Sequence, residues 1–233
     1  MLLSLLFLNG TGAFTLGVNM NIKAIIFDFD GVIANTEARN LMYLEKAFNY
    51  YSIQLTDAER EYVIGRNDHE FIIEILKRAD KRVSLEEFIN TRKSLGNSYE
   101  DGTLKLEAGL DDFLKKIKSE GILTGIGSST SSRYILSALN TLQILPYFNT
   151  VVCGDMVKTA KPAPDIYLKV ISNLNLKTSE CIVIEDSSVG IASALSAGCR
   201  AIGYTGATKG QDTSKALLSF SSYKDLYSKL IAL

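Results

Sequence analysis

The chain has no tryptophan, one histidine, three prolines and three cysteines in 233 residues. A lone histidine, His69, cannot build a histidine-based zinc site, and any triad needing an imidazole would have to use it. Cys153, Cys181 and Cys199 are odd in number and lack CxxC spacing, so they read as reduced thiols of a cytoplasmic protein, not a disulfide framework. Neither charge sign is in excess: 25 basic and 26 acidic residues leave a net −1. With no Lys/Arg-rich block either, nucleic acid is excluded as the main partner. The apolar run Leu2–Leu8 is too short to span a bilayer, and no basic residue precedes it as a secretory signal would require. Residues 1–19 are therefore expected to be a leader dispensable for the fold, which starts near Met20. Export or membrane association stays open as the alternative. Gly10-Thr11-Gly12 lacks the third glycine and the βαβ context of a dinucleotide loop.

What is present is an ordinary globular balance, 46% apolar and 22% charged. A chain of this size can bury about 70% of its unfolded surface and needs no staple to fold. From Lys23 onward strand and helix patterns alternate. Lys23–Asp28 is a short apolar run ending on an acid, as in a buried parallel strand. Further strands are predicted at Ile122–Gly127, Thr150–Cys153, Cys181–Glu185 and Arg200–Tyr204. Helices are predicted between them and at Tyr223–Ala232. The order implies an α/β fold, a Rossmann-like, doubly wound parallel sheet. Residues 36–105 carry helical patterns only, at Thr36–Tyr51, Asp68–Ala79 and Ser84–Ser98. That is too long for a crossover, so it reads as an inserted α-helical cap, with 20–35 and 106–233 forming the core. The insert leaves from the carboxyl end of the first strand, where open α/β sheets bind ligands. A lid there can exclude water from a polar cleft.

The acids fall at that edge. Asp28 ends one strand, with Asp30 and Gly31 just after it; Glu185 and Asp186 end another. One strand-end acid would read as a helix cap. Four in one cleft repel unless a cation joins them, and an oxygen-only ligand set suits Mg²⁺. Ser128 and Ser129 open a hydroxyl-rich run after a strand, where hydroxyls and backbone N–H groups can cradle an anion; a plain cap-forming loop is the other reading. Lys161 lies between a strand and Pro162-Ala163-Pro164. The two prolines stiffen the loop and start a helix, which aims the ammonium group.

Asp28-Phe29-Asp30-Gly31-Val32-Ile33, Ser128, Lys161-Pro162-Ala163-Pro164-Asp165 and Glu185-Asp186-Ser187-Ser188-Val189-Gly190-Ile191 resemble, in order, the four motifs of the haloacid dehalogenase superfamily. The branch most resembled is that of β-phosphoglucomutase and related phosphatases, which carries a helical cap between the first two motifs. The resemblance implies that Asp28 is the nucleophile and forms an aspartyl-phosphate. It implies that Asp30 protonates the leaving oxygen and then deprotonates water. Asp28, Glu185, Asp186 and the backbone carbonyl of Asp30 would hold Mg²⁺. Ser128, Ser129 and Lys161 would bind the phosphoryl group. Dehalogenases lack the second acid, so Asp30 points to phosphate monoesters.

The cap should select the substrate. Gly65-Arg66-Asn67 resembles a specificity loop, and Arg66 could meet a second anionic or polyol group; a simple helix–helix turn capped by Asp68 is compatible with this. Arg92-Lys93 resembles a basic cap position of the mutase, with Lys93 as the candidate contact. His69 is expected on the cap surface. Asn35-Thr36-Glu37 falls where relatives often have Asp-Ser-Glu, at the hinge or substrate edge. Gly203–Gly210 reads as a surface loop. The expected function is a Mg²⁺-dependent phosphatase of a small phosphorylated metabolite, with a sugar phosphate in first place. A hexose phosphate mutase is the alternative, and a non-catalytic binding module is a third. A monomer or weak dimer is expected.

Overall fold

The computed structural model describes residues 15–16, 20–63, 68–207 and 211–231. A short antiparallel pair, β1 (Thr15–Leu16) and β2 (Met20–Asn21), precedes the core. The first core strand, β3 (Ala24–Phe27), is buried along its whole length. Helices α1 (Glu37–Tyr50), α2 (Asp57–Val63), α3 (His69–Leu76) and α4 (Leu85–Ser94) follow without a strand between them. The alternating half then runs through α5 (Leu110–Ser119), β4 (Leu123–Gly127), α6 (Ser132–Thr141), β5 (Thr150–Val152), α7 (Asp165–Asn173), β6 (Cys181–Glu185), α8 (Ser188–Ser196) and β7 (Arg200–Tyr204). Strand β8 (Leu218–Phe220) and helix α9 (Tyr223–Ile231) close the chain. The six-stranded sheet has the order β5-β4-β3-β6-β7-β8, and each adjacent pair is parallel. The fold is therefore the Rossmann-like parallel sheet with an inserted helical block that the alternation implies.

Side-chain alternation along β3 shows why both faces are covered. Ile25 and Phe27 join the apolar cluster containing Leu114, Leu139 and Leu226, under α5, α6 and α9. Ala24 and Ile26 join the opposite cluster containing Val170, Ile171 and Ala194, under α7 and α8. The inserted helices have a core of their own, in which Leu44, Phe48, Ile72, Ile75 and Phe88 pack together. Their ends are set by sequence: Asp68 accepts from the Phe71 amide at 3.0 Å, and Ser84 and Glu87 form a capping box at the start of α4.

The β1–β2 pair, α2 and β8 were not expected. Helix α2 was hidden because none of its residues is buried, so it shows no apolar period. Strand β8 has three residues at the sheet edge and is too short for a pattern. The Gly65-Arg66-Asn67 segment lies outside the described residues, as does most of the 1–19 leader. Among the described residues, no helix is long and apolar enough to cross a membrane.

Candidate active site

The sheet register brings the acids together. Asp28 follows β3, and its amide donates to the Ile184 carbonyl of β6 at 2.9 Å. One position further along β6 comes Glu185, then Asp186. On the other side, the Ser128 amide after β4 donates to Val152 of β5 at 3.0 Å. Carboxylate oxygens of Asp28, Glu185 and Asp186 lie within 4.8 Å of one another, and all three residues are buried. Asp30 lines the same cleft of about 360 Å³, together with Ser129, Lys161 and Glu37.

Lys161 is the cation set into this cluster. Its Nζ lies 2.7 Å from Asp28 Oδ1 and 2.7 Å from Glu185 Oε1, with 6% of the side chain exposed. Burial alone would lower the lysine pKa, but the two carboxylates outweigh it and raise it. Burial pushes the Asp28 carboxyl well above the usual range; Lys161 opposes this, while Glu185, Asp30 and Asp186 add to it. For Glu185 the penalty of burial is overcome by Lys161 and by donors around it, so its carboxyl is held low. Those donors fill the side chain. Lys161 and the Tyr167 hydroxyl reach Oε1, and the Ser187 amide and hydroxyl reach Oε2.

Two glycines allow this closeness. A side chain at Gly190 would run into the Glu185 carboxylate, so α8 can lie against the cluster only with glycine there. A Cβ on Gly127 would come within 2.9 Å of Ile166, so β4 accepts α7 closely and brings up the Lys161 loop.

The phosphate-loop candidates separate. Ser129 is exposed and lines the cleft. Ser128 is fully buried, and its Oγ accepts from the Thr130 amide at 3.1 Å. Of the tentative cap contacts, Lys93 is exposed. The neighbouring Arg92 is half-buried near Glu37 and Tyr99; burial lowers its pKa, against the pull of Tyr99 and Glu37. Arg92 is therefore on the side of α4 that faces Glu37 and Tyr99. His69 is exposed on the insert. Gln211, just past the Gly203–Gly210 segment, lines the cleft.

Sequence reasoning missed Tyr99, Thr130 and Tyr167. Tyr99 OH and Thr36 Oγ1 each donate to Asp30 Oδ1 at 2.6 Å, and Thr130 Oγ1 donates to Oδ2 at 2.9 Å. Burial first, and the Asp30 charge second, raise the Tyr99 pKa, so its hydroxyl stays a donor. Tyr167 reads as core in an amphipathic helix, which it also is; only its hydroxyl betrays the site.

Comparison with known proteins decides the family. Residues 25–204 match the profile of haloacid dehalogenase-like hydrolases. The chain belongs to that family. Within it, the chain is 31% identical over 197 residues to a phosphorylated carbohydrates phosphatase of Thermotoga maritima, covering 84% of this chain and 90% of that protein. A phosphoglycolate phosphatase of Salmonella typhimurium is 25% identical, covering 79% and 82%. The crystal structure of a β-phosphoglucomutase from Clostridium difficile superposes with a TM-score of 0.70 at 27% identity, covering 90% of this chain and 97% of that one. The haloacid dehalogenase-like hydrolase described here is a phosphoric monoester hydrolase.

Proposed function

We propose that this hydrolase is a Mg²⁺-dependent phosphatase of small sugar phosphates that works through an aspartyl-phosphate on Asp28. The observation that carries the reading is the Asp28 carboxylate, buried at the centre of the sheet edge. Lys161 touches it, and Asp30 lies two residues away in the same cleft. Helices α1–α4 serve as a cap over residues 20–35 and 106–233. The likeness to a carbohydrate phosphate phosphatase supports the substrate class, as does a cleft wall that mixes Glu37 and Gln211 with the apolar Val189. The three free, buried cysteines fit a reducing, cytoplasmic compartment.

The donor set fits Mg²⁺: oxygen atoms only, from three carboxylates of which Lys161 leaves two negative charges uncompensated. Asp28, Asp186 and the Asp30 carbonyl would hold the ion. Glu185 would join them once Lys161 or Tyr167 yields a position on its Oε1. When bound, the ion would neutralise charge on the phosphoryl oxygens.

The residues perform the chemistry in two halves. An Asp28 oxygen attacks phosphorus, and the bond from phosphorus to the sugar oxygen breaks. Asp30, as the carboxylic acid, gives that oxygen its proton, and the alcohol leaves. A water molecule then attacks the same phosphorus, loses a proton to the Asp30 carboxylate, and inorganic phosphate departs as Asp28 is restored. Ser129 and Lys161 hold the phosphoryl oxygens through both halves.

The test is phosphate release from a panel of sugar phosphates with Mg²⁺, together with radiolabelling of the protein by the same substrates. Release with label on Asp28 is expected. Isomerisation of a hexose phosphate without release, dependent on a bisphosphate primer, would replace this reading with a mutase. Full turnover by Asp28→Asn would remove the mechanism.

A further inference from the structure

Three hydroxyls from three segments converge on the Asp30 carboxylate. Thr36 lies where the chain enters the helical insert, Tyr99 where it returns, and Thr130 in the phosphate loop. Thr36 and Tyr99 donate to Oδ1 and Thr130 to Oδ2. An ionised carboxylate offers about four acceptor positions, two on each oxygen. Oδ1 is thus filled, and the one position left is on Oδ2. Tyr99 is 8% exposed. Its ring stacks on Tyr134 at 5.6 Å and lies 6.1 Å from Phe29. Its hydroxyl also sits 3.2 Å from Thr130 Oγ1. Ring and hydroxyl are therefore fixed, and the bond to Asp30 is not an incidental surface contact.

We propose that Tyr99 is a positioning residue for proton transfer by Asp30, holding the carboxyl so that Oδ2 carries the proton given to the leaving group. The inference rests on the acid–base role assigned to Asp30 above. As the phosphorus–oxygen bond breaks, the proton passes from Oδ2 to the departing alkoxide, and the water of the second half returns one to Oδ2. Tyr99 touches Asp30 and not the substrate. Without its hydroxyl, an acceptor position opens on Oδ1, the proton divides between two oxygens, and the carboxyl can turn. Because Tyr99 sits in the turn that follows α4, where the chain returns from the insert, the direction in which the acid points is tied to the placement of the cap.

Leaving groups of different basicity read this directly. Nitrophenolate departs without a proton, whereas a sugar alkoxide needs one. kcat/KM reports events up to departure of the leaving group, so the comparison isolates the acid step. Wild type, Tyr99→Phe and Asp30→Asn are compared on p-nitrophenyl phosphate and on the sugar phosphate that the enzyme hydrolyses fastest. General acid catalysis contributes about 10²–10⁴-fold, and losing its alignment removes part of that. Tyr99→Phe is expected to lower kcat/KM on the sugar phosphate by roughly 10–30-fold, through kcat and not KM, and on p-nitrophenyl phosphate by less than about threefold. Asp30→Asn is expected to show the same selectivity with a larger loss.

Equal loss on both substrates, or none, in Tyr99→Phe overturns the proposal while leaving Asp30 its role. Absence of selective loss in Asp30→Asn, or of any sugar phosphate turnover in wild type, overturns the underlying reading instead. Tyr134→Leu disturbs the ring stack but keeps the Tyr99 hydroxyl. It is expected to affect both substrates alike; a selective loss there would mean that Tyr99 matters only for packing.

Discussion

Asp28→Asn should make the metal-free protein more stable while abolishing turnover. Asp28 faces Glu185 and Asp186, with carboxylate oxygens within 4.8 Å. At an effective dielectric of about 20, each such pair repels by about 3.5 kcal/mol or more. The attraction of Lys161, at 2.7 Å, is worth about 6 kcal/mol on the same scale. Two repulsions therefore slightly exceed one attraction, and burial adds to the deficit, in keeping with the raised Asp28 pKa. A carboxyl whose folded pKa is raised costs stability at neutral pH, and the cost disappears as the pH falls below its ordinary value. Asparagine keeps the shape and an oxygen for Lys161. Its gain should be about 1–3 kcal/mol, or roughly 2–10 °C in melting temperature. Calorimetry in EDTA at pH 7 measures this. Mg²⁺ should then raise the wild-type midpoint and move the variant far less, since only the wild type has the full ligand set. A variant that melts well below wild type in EDTA would refute the electrostatic reasoning; one that still turns over would refute the nucleophile.

Two further substitutions probe the same cluster and a third a separate carboxylate, Asp101. Lys161→Ala leaves Asp28 and Glu185 buried without their cation; a loss of about 3–5 kcal/mol in urea titration with EDTA is expected, with turnover gone. Gly190→Ala would gain up to about 1 kcal/mol in an exposed helix. Here the new methyl meets the Glu185 carboxylate, so a cost of about 1–3 kcal/mol and a fall in phosphatase activity are expected; unchanged stability would show that Glu185 can move. Asp101, despite the upward push of burial, is held at about 2 by hydrogen bonds from Thr103, Arg39 and Tyr43. Its folded pKa is depressed, so its contribution is complete above the ordinary value and is lost as pH falls from about 4 towards 2. Asp101→Asn should therefore cost about 2 kcal/mol at pH 7 and less than about 0.5 kcal/mol at pH 2, as measured by denaturation at both pH values.

The alternation of short apolar runs with amphipathic helices made the sheet legible, because β3, β6 and β7 are buried on both faces and leave no polar break to confuse their ends. The acids were legible for the same reason, since each stands where an apolar strand stops. The hydroxyls were not. Thr36, Tyr99 and Thr130 are separated by 63 and 31 positions, and nothing local marks a tyrosine that reaches a distant carboxylate. Arg92 and Lys93 are adjacent in a helix and differ by about 100° in direction, so the half-burial of one and the exposure of the other is visible only in the packing of α4. Ser128 stands after β4, where a phosphate contact is expected; the structure adds that its Oγ accepts from the Thr130 amide, which leaves its own proton to donate.

The two acids of the first motif are held by different parts of the molecule, although they are two residues apart. Asp28 is fixed by the sheet: its amide extends the β3–β6 ladder, so its position follows from strand register. Asp30 is fixed by the passage between core and insert. It bridges to Ala34, which bridges to Leu106 on the returning segment, and the Glu107 amide donates to the Ile33 carbonyl at 2.9 Å. A chain that sends a helical block out beyond a strand end and back must lay two crossing segments beside the site. Here both supply a donor to Asp30. The position of Asp28 is thereby insulated from changes in the insert, while that of Asp30 is exposed to them. Substitutions that shift the insert should alter proton delivery to the leaving group before they alter attack on phosphorus.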